Sequence, residues 1–272
     1  MASSIANEVS VYDFIVIGAG IASINASYLL RTEISNKSYV VFEHHERIGG
    51  TWGFWKYPGI RSDSFLSLFG FAWHQWPHDM DFADPHLIQD YLQDAIRVQE
   101  IDKAFGSEDS WYQKLQELNC PPSVLDPGYR LCREEDRPFG SGATAVTLLI
   151  NLAKAASHVT MLQRSPSYVL TVPSRDKLSL FFLHWLPTWL ALLLNWYRHN
   201  LLETFHVRLM KTFPNWGKKQ LVAAMSKHLP SDIDVNEHFN PSYAPNSQRL
   251  CLCPDSDFLE ALHKPNCDIR TT

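Results

Sequence analysis

The sequence predicts an α/β protein built from two three-layer units, both incomplete, with a helical insert in the second. One pattern occurs twice: a glycine-rich turn, a helical stretch, and a short apolar run that ends beside a charged residue. The turns begin at Gly18 and Gly140, and the charged residues are Glu43 and Arg164. The chain has 272 residues, 45% of them hydrophobic, which is enough for two modest cores.

The first repeat contains every part of a dinucleotide-binding (Rossmann-like) fingerprint. Residues 12–17 predict a buried parallel strand, residues 21–31 a helix, and residues 38–42 a second strand. Glycines there allow a tight turn and a close approach to a pyrophosphate, and the helix N-terminus offers free N–H groups. Glu43 stands 25 positions after Gly18, near the spacing of a carboxylate that binds a ribose diol. A solvated carboxylate at the strand end is the alternative.

A second glycine loop follows at Gly49 and Gly50. Adjacent glycines let a loop fold closely over a flat or phosphorylated ligand. Thr51 could hydrogen-bond that ligand and Trp52 could stack on it. Without the upstream fingerprint, the same residues would be interpreted as a plain surface loop.

The second repeat lacks its beginning. Residues 143–156 predict a helix and residues 158–162 a strand, but Pro138 and the charged residues around it oppose a strand before Gly140. Arg164 stands 24 positions after Gly140, where a guanidinium favours a ribose phosphate. A solvated arginine is the alternative. The sequence therefore predicts a second dinucleotide-binding unit without its first strand.

These patterns give three segments. Residues 1–105 form the first unit, residues 106–139 an irregular linker, and residues 140–272 the second unit with a hydrophobic helical insert at about 176–228. Within the insert, residues 178–197 contain no Asp, Glu, Lys or Arg. This uncharged stretch is long enough for a bilayer span. A buried or interfacial helical insert is favoured, and membrane association is the alternative.

Charge, histidine and cysteine content indicate which partners, metal sites and compartment to expect. The net charge of −5 argues against nucleic acid, because phosphate binding needs a basic face. The histidines are scattered, so no metal site is expected. Without CxxC spacing the cysteines are interpreted as reduced thiols of a cytoplasmic protein. They are Cys120, Cys132, Cys251, Cys253 and Cys267.

Seven segments together resemble the flavin-dependent monooxygenases of the Baeyer–Villiger type, particularly the branch of the ethionamide-activating monooxygenases. In the first part of the chain the segments are GAGIAS at 18–23, VVFE at 40–43, GGTW at 49–52 and YPGIRSDS at 57–64. In the second part they are GSGATAVTLL at 140–149, HVTMLQRSPSYV at 158–169 and QRLCLCPDSDF at 248–258.

This resemblance implies an FAD- and NADPH-dependent enzyme that oxygenates a small organic substrate with O2. A flavin C4a-peroxide would convert a ketone to an ester, or would oxygenate sulfur or nitrogen. The implied FAD contacts are Gly18, Gly20, Ala22, Ser23, Glu43, Gly50, Thr51, Trp52 and Asp63. The implied NADP contacts are Arg61, Ser62, Asp63, Gly140, Ser141, Gly142, Ala143, Thr144, Ala145, Arg164 and Ser165. The catalytic residue is not assigned.

The chain also departs from the family. Residues 106–139 do not match the long segment that the family carries between its two fingerprints, and the family continues past Thr272. The chain is therefore expected to be truncated with an internal deletion, and a non-catalytic remnant is the alternative to a working monooxygenase. A pyridine-nucleotide disulfide reductase is disfavoured, because no redox cysteine pair lies near the first fingerprint.

Overall fold

The computed structural model describes residues 11–43, 45, 47–105, 135–136, 140–248 and 250–272. The chain divides into two compact units, of which the first combines Met1–Trp55 with His86–Pro127 and the second combines Lys56–Pro85 with Gly128–Thr272. The predicted boundary thus differs at residues 56–85, which pack with the second unit. One reason is a salt bridge between Arg61 and Asp257, residues 196 positions apart that no local pattern could pair.

The described elements include both strands and helices, as the sequence predicts. The strands are β1 (Phe14–Ile17), β2 (Tyr39–Phe42), β3 (Glu135–Asp136), β4 (His158–Gln163), β5 (Tyr168–Val172), β6 (Leu250–Pro254) and β7 (Cys267–Thr271). The helices are α1 (Ile21–Glu33), α2 (Thr51–Phe54), α3 (Leu66–Phe69), α4 (Pro85–Val98), α5 (Ala143–Ala155), α6 (Lys177–Trp185), α7 (Thr188–Thr212), α8 (Pro214–Ser226), α9 (Val235–His238) and α10 (Asp257–Ala261). A short 3₁₀ turn spans Asp102–Ala104.

In the first unit, β1 and β2 pair in parallel and α1 connects them, the arrangement that the fingerprint requires. Helix α4 is amphipathic and buries one face. The predicted burial of β1 is wrong, however, because Ile15 is 59% exposed and Ile17 69% exposed. The sequence of a parallel strand is a continuous apolar run when packed layers cover both of its faces. Among the described residues, β1 has only β2 beside it in the sheet.

In the second unit, β3, β4 and β7 form a parallel sheet in that order, and β5 pairs in parallel with β6. The predicted absence of a first strand is corrected here, because β3 pairs with β4 just before Gly140. The strand is two residues long, which is too short to show the pattern from which strands are predicted. Helix α5 packs on β4, and Leu149, Val159 and Phe258 lie at the centre of the core.

The apolar stretch at 178–197 is broken into two helices. Helix α6 ends at Trp185, and α7 begins at Thr188 after Pro187. Proline is tolerated at such a helix start and cannot continue the preceding helix. Within the part of the chain that the structure describes, no helix has the length and apolar character needed to cross a membrane.

Candidate dinucleotide sites and a cavity

The first glycine loop joins β1 to α1. Gly18 has a φ of +90°, a backbone conformation that favours glycine, and its N–H donates to Phe42 O at 2.6 Å. Gly20 is the N-cap of α1 and has no side chain to cap the helix. The first turn of α1 therefore keeps backbone donors for an anion, with the positive end of the helix dipole behind them. Ala22 and Ser23 lie in this first turn.

The second glycine loop contacts the first. A Cβ at Gly50 would stand 3.0 Å from the Gly20 Cα, closer than side chains normally approach. Gly49 N–H also donates to Ala19 O at 2.8 Å, so the two loops are tied by their backbones. Thr51 and Trp52 begin α2 directly after this contact, and Trp52 O accepts from Gln89 Nε2. The structure thus brings the predicted Gly50, Thr51 and Trp52 to the fingerprint.

Glu43 lies beside the first glycine loop. It follows β2, and its Oε2 accepts from Ala19 N–H at 2.5 Å. Its Oε1 accepts from His45 N–H at 2.9 Å and lies 3.0 Å from His45 Nδ1. These contacts hold the carboxylate against Ala19 of the glycine loop, one residue before the Gly20 N-cap of α1. The residues of the first unit therefore fit an adenine dinucleotide, with a diol beside Glu43 and phosphates at α1.

The glycine loop of the second repeat, which begins at Gly140, lies between β3 and α5 in the second unit. Gly140 has a φ of +117°, and its N–H donates to Leu162 O at 2.8 Å. Gly142 caps α5 without a side-chain hydrogen bond, so this helix start repeats the arrangement at α1. Ser141 is buried and its Oγ accepts from Ser167 Oγ at 2.9 Å. Thr144 is exposed at the first turn of α5.

The predicted phosphate-binding residues differ in whether their side chains are exposed or already bound to other residues of the chain. Arg164 and Ser165 follow β4 and are both exposed. Arg61 instead makes a bidentate salt bridge with Asp257, at 2.5 and 3.1 Å. Ser62 is buried and its Oγ donates to Ser64 O, as in a turn. Arg164 is therefore the better candidate for a 2′-phosphate.

A cavity of about 840 Å³ lies on one face of the β5–β6 pair. Side chains alternate across a strand, so Val169 and Cys251 point into the core while the opposite face lines the cavity. Helix α7 and the segment around α3 cover this face. The size and mostly apolar walls are typical of small-molecule sites. The apolar lining includes Phe65, Leu170, Val172, Leu202, Leu250 and Leu252, and Asp63 also lies on the wall.

A polar cluster centred on Asp176 forms one end of the cavity. Its carboxylate caps α6 through Leu178 N–H and pairs with Arg198 and His199 of α7. Burial raises the pKa of Asp176, but hydrogen bonds from His199, Leu178 N–H and Arg198 outweigh it and lower that pKa to about 2. His199 Nδ1 also lies 2.6 Å from Ser67 Oγ, which links α7 to α3. The cluster therefore holds the helical insert over the sheet.

Two buried donors on the cavity wall lack a hydrogen-bond partner among the described residues. They are Arg198 Nε and Asn246 Nδ2. Buried N–H groups are nearly always paired, but both of these atoms are closed to solvent in this structure. The charge of Arg198 is already balanced by Asp176, and Asp63 and Glu203 add negative charge to the wall. The wall therefore favours a neutral, mostly apolar molecule.

The described cysteines form no disulfide. Burial raises the pKa of Cys253 to about 12 and that of Cys267 to about 11, so both stay protonated at neutral pH. Cys251 and Cys253 share one face of β6, as their spacing predicts, and both are buried in the core. Cys120 and Cys132 lie outside the described residues. Cys253 and Cys267 therefore lack the ionised thiolate of a redox pair.

Known proteins show what the chain is similar to. A family model described as an NAD(P)-binding Rossmann-like domain matches residues 16–84. The FAD-containing monooxygenase EthA of Mycolicibacterium smegmatis is 31% identical over 96% of this chain. The probable FAD-binding monooxygenase AlmA of Acinetobacter sp. is 30% identical over 95% of this chain. The chain is a homologue of the FAD-containing monooxygenases. This homology confirms the resemblance drawn from the seven segments.

The match to these monooxygenases is partial in length. The chain spans 63% of EthA and 62% of AlmA. The alignment with EthA is 310 residues long, longer than the 272 residues of the chain, so EthA contains residues inside the matched region that this chain lacks. That agrees with the predicted internal deletion.

Solved structures confirm the predicted dinucleotide-binding α/β fold. OTEMO in complex with FAD and NADP gives a TM-score of 0.67 at 15% identity, covering 97% of this chain and 66% of OTEMO. Cyclohexanone monooxygenase in its closed form gives 0.64 at 16% identity, covering 96% and 64%. At these identities the likeness establishes the fold alone.

Most residues that build the cavity could not be predicted from the sequence. Asp176, Arg198 and His199 lie on the helical insert, which carries no nucleotide motif. The available signal was weak: a few polar residues at and beside an otherwise apolar stretch. Asp257 was missed as well, because its partner Arg61 is remote in sequence.

Proposed function

We propose that the chain is the nucleotide-binding part of a flavin monooxygenase that uses FAD, NADPH and O2. Homology to FAD-containing monooxygenases over 96% of the chain carries the proposal. Two glycine loops that each open a helix, one followed by Glu43 and the other by Arg164, support it. An acid suits the free ribose diol of FAD, and an arginine suits the 2′-phosphate of NADPH.

Each residue then has a binding role. Gly20 and Gly50 give the FAD pyrophosphate room to approach the start of α1, and Glu43 accepts hydrogen bonds from the ribose hydroxyls. The start of α5 and Arg164 hold NADPH. When bound, FAD supplies the redox chemistry that activates O2 with electrons from NADPH. One oxygen atom enters the substrate and the other leaves as water.

The cavity on the β5–β6 pair supports a neutral ketone or thioether as substrate. Most of the accessible wall area is apolar, which suits the hydrocarbon part of such a substrate. Asp63 is a predicted contact of both cofactors and lines the same cavity.

Cofactor-dependent oxygen uptake tests the proposal. The purified chain is reconstituted with FAD and mixed with NADPH and a panel of neutral ketones and thioethers under ¹⁸O2. We expect NADPH consumption and products with one ¹⁸O atom. An Arg164→Ala variant should lose tenfold or more of its preference for NADPH over NADH, since a charged hydrogen-bond pair is worth about 1.5–3 kcal/mol.

The alternative is a non-catalytic remnant, which the exposed β1 favours. Binding of FAD and NADP⁺ without any ¹⁸O-labelled product would support the remnant. Binding of neither nucleotide would overturn both assignments. An unaltered nucleotide preference in Arg164→Ala would remove Arg164 from the site.

A further inference from the structure

A buried carboxylate, that of Asp81, belongs to the wall of the cavity on the β5–β6 pair. Asp81 is only 7% exposed. Within the described part of the chain its side chain makes one hydrogen bond, in which Oδ1 accepts from Ser67 N–H at 3.4 Å, and no salt bridge. Buried carboxylates are normally paired with a cation or fully hydrogen-bonded. The charge of Asp81 is therefore largely uncompensated beside the cavity.

The other charges on the wall do not offset Asp81. Asp63 and Glu203 are also acidic, and Arg198 is the only lysine or arginine among the lining residues that the structure describes. Its guanidinium already pairs with Asp176. An anion that entered the cavity would thus meet negative charge and find no free lysine or arginine to pair with.

Asp81 should contribute most to this repulsion, because water screens it least. Glu203 is exposed and Asp63 is half-buried, so solvent and salt weaken their fields. A charge beside a buried carboxylate interacts with it through a lower effective dielectric constant than in water.

We infer that Asp81 makes the cavity select ligands by charge, so that it takes neutral apolar molecules and rejects those that carry a carboxylate or a sulfonate. Specificity of this kind comes from a repulsive element rather than from an added attractive contact. The cavity is the proposed substrate site, so this selection would act on the substrate and rests to that extent on the proposed function.

Two fluorescent probes with the same skeleton test the inference on the full chain, without FAD or NADPH. N-phenylnaphthylamine is neutral, and anilinonaphthalene sulfonate is its derivative with an added sulfonate. Fluorescence titration at neutral pH measures the dissociation constant of each probe. Leu252→Trp fills part of the cavity from β6 and so identifies the component of binding that belongs to the cavity. Circular dichroism establishes that each variant is folded.

The parent chain should bind the neutral probe at least about tenfold more tightly than the sulfonate. Asp81→Asn should tighten binding of the sulfonate in the cavity about tenfold and leave the neutral probe within about twofold, since the amide keeps the shape and loses the charge. Asp81→Ser also lacks the charge and should give the same result. Asp90→Asn removes an exposed charge from α4 in the first unit and should keep the ratio of the parent chain.

An unaltered ratio of the two dissociation constants in the Asp81 variants would overturn the inference, as would equal affinities in the parent chain or a changed ratio in Asp90→Asn. Binding of the neutral probe that Leu252→Trp does not reduce would overturn it too, because the cavity would then not take an apolar molecule. The probes need neither nucleotide, so failure here is distinct from failure of the ¹⁸O2 experiment.

Discussion

At the scale of single residues, Glu43 couples the first glycine loop to the second strand. Its carboxylate accepts from Ala19 N–H in the structure, which orients it beside the start of α1. We expect Glu43→Ala to weaken FAD binding about tenfold to a hundredfold, because hydrogen bonds to a charged acceptor contribute about 1.5–3 kcal/mol. Flavin fluorescence titration measures this affinity. Glu33→Ala, at the exposed end of α1, is the control and should bind FAD normally.

Gly59 is a second residue on which local structure depends. It has a φ of +78°, and a Cβ there would lie 1.7 Å from Asn151 Nδ2 on α5. We expect Gly59→Ala to lower the free energy of unfolding by about 2–4 kcal/mol, through backbone strain and steric overlap together. Urea denaturation measures the loss.

Two variants separate the causes at Gly59. Gly140 also has a positive φ but nothing within 4 Å of its hypothetical Cβ, so Gly140→Ala should show the backbone cost alone, about 1–3 kcal/mol. The Gly59→Ala/Asn151→Ala double variant should recover part of the loss. Equal losses in the two single variants would show that the contact with Asn151 is unimportant.

At the scale of elements, Asp176 fixes the helical insert. It caps α6 and pairs with Arg198 and His199 of α7. Its pKa is lowered to about 2, below the unfolded value of about 3.9. The stabilisation is thus present above about pH 4 and is lost as pH falls toward 2. We expect Asp176→Asn to be less stable at pH 7 and to show a shallower loss of stability with falling pH between 4 and 2.

Thermal unfolding at several pH values measures this difference. Asp232→Asn, an exposed residue outside any helix, is the matched control and should follow the parent curve. Parallel curves for Asp176→Asn and the parent chain would mean that the cluster does not stabilise the fold through the ionised carboxylate.

The elements also differ in whether they could be predicted from the sequence. The first strand–turn–helix–strand unit could be predicted, since each part has a local pattern that ends at a glycine or a charge. Burial of β1 could not, because it depends on layers beyond the strand itself. Strand β3 escaped detection since two residues carry no period, and the cavity escaped because it forms between β5, β6 and α7, remote in sequence. The glycine loops of the candidate sites could be predicted from the sequence, whereas the cavity could not.

At the scale of the whole molecule, the two units have separate sheets, and each has a glycine loop that opens a helix. The first unit exposes Ile15 and Ile17, whereas the second encloses a core around Leu149 and Phe258. We expect calorimetry to show two transitions, with the first unit unfolding at the lower temperature, because less apolar surface is buried around its sheet.

Ligands then assign the transitions. A ligand at 100 times its dissociation constant stabilises the unit that binds it by about 2.7 kcal/mol. FAD should therefore raise the lower transition, and NADP⁺ the upper one. Glu43→Ala should reduce the first shift alone, and Arg164→Ala the second alone. A single transition raised by both nucleotides would contradict the separation, since it would mean that the units unfold together and that each site stabilises the entire chain.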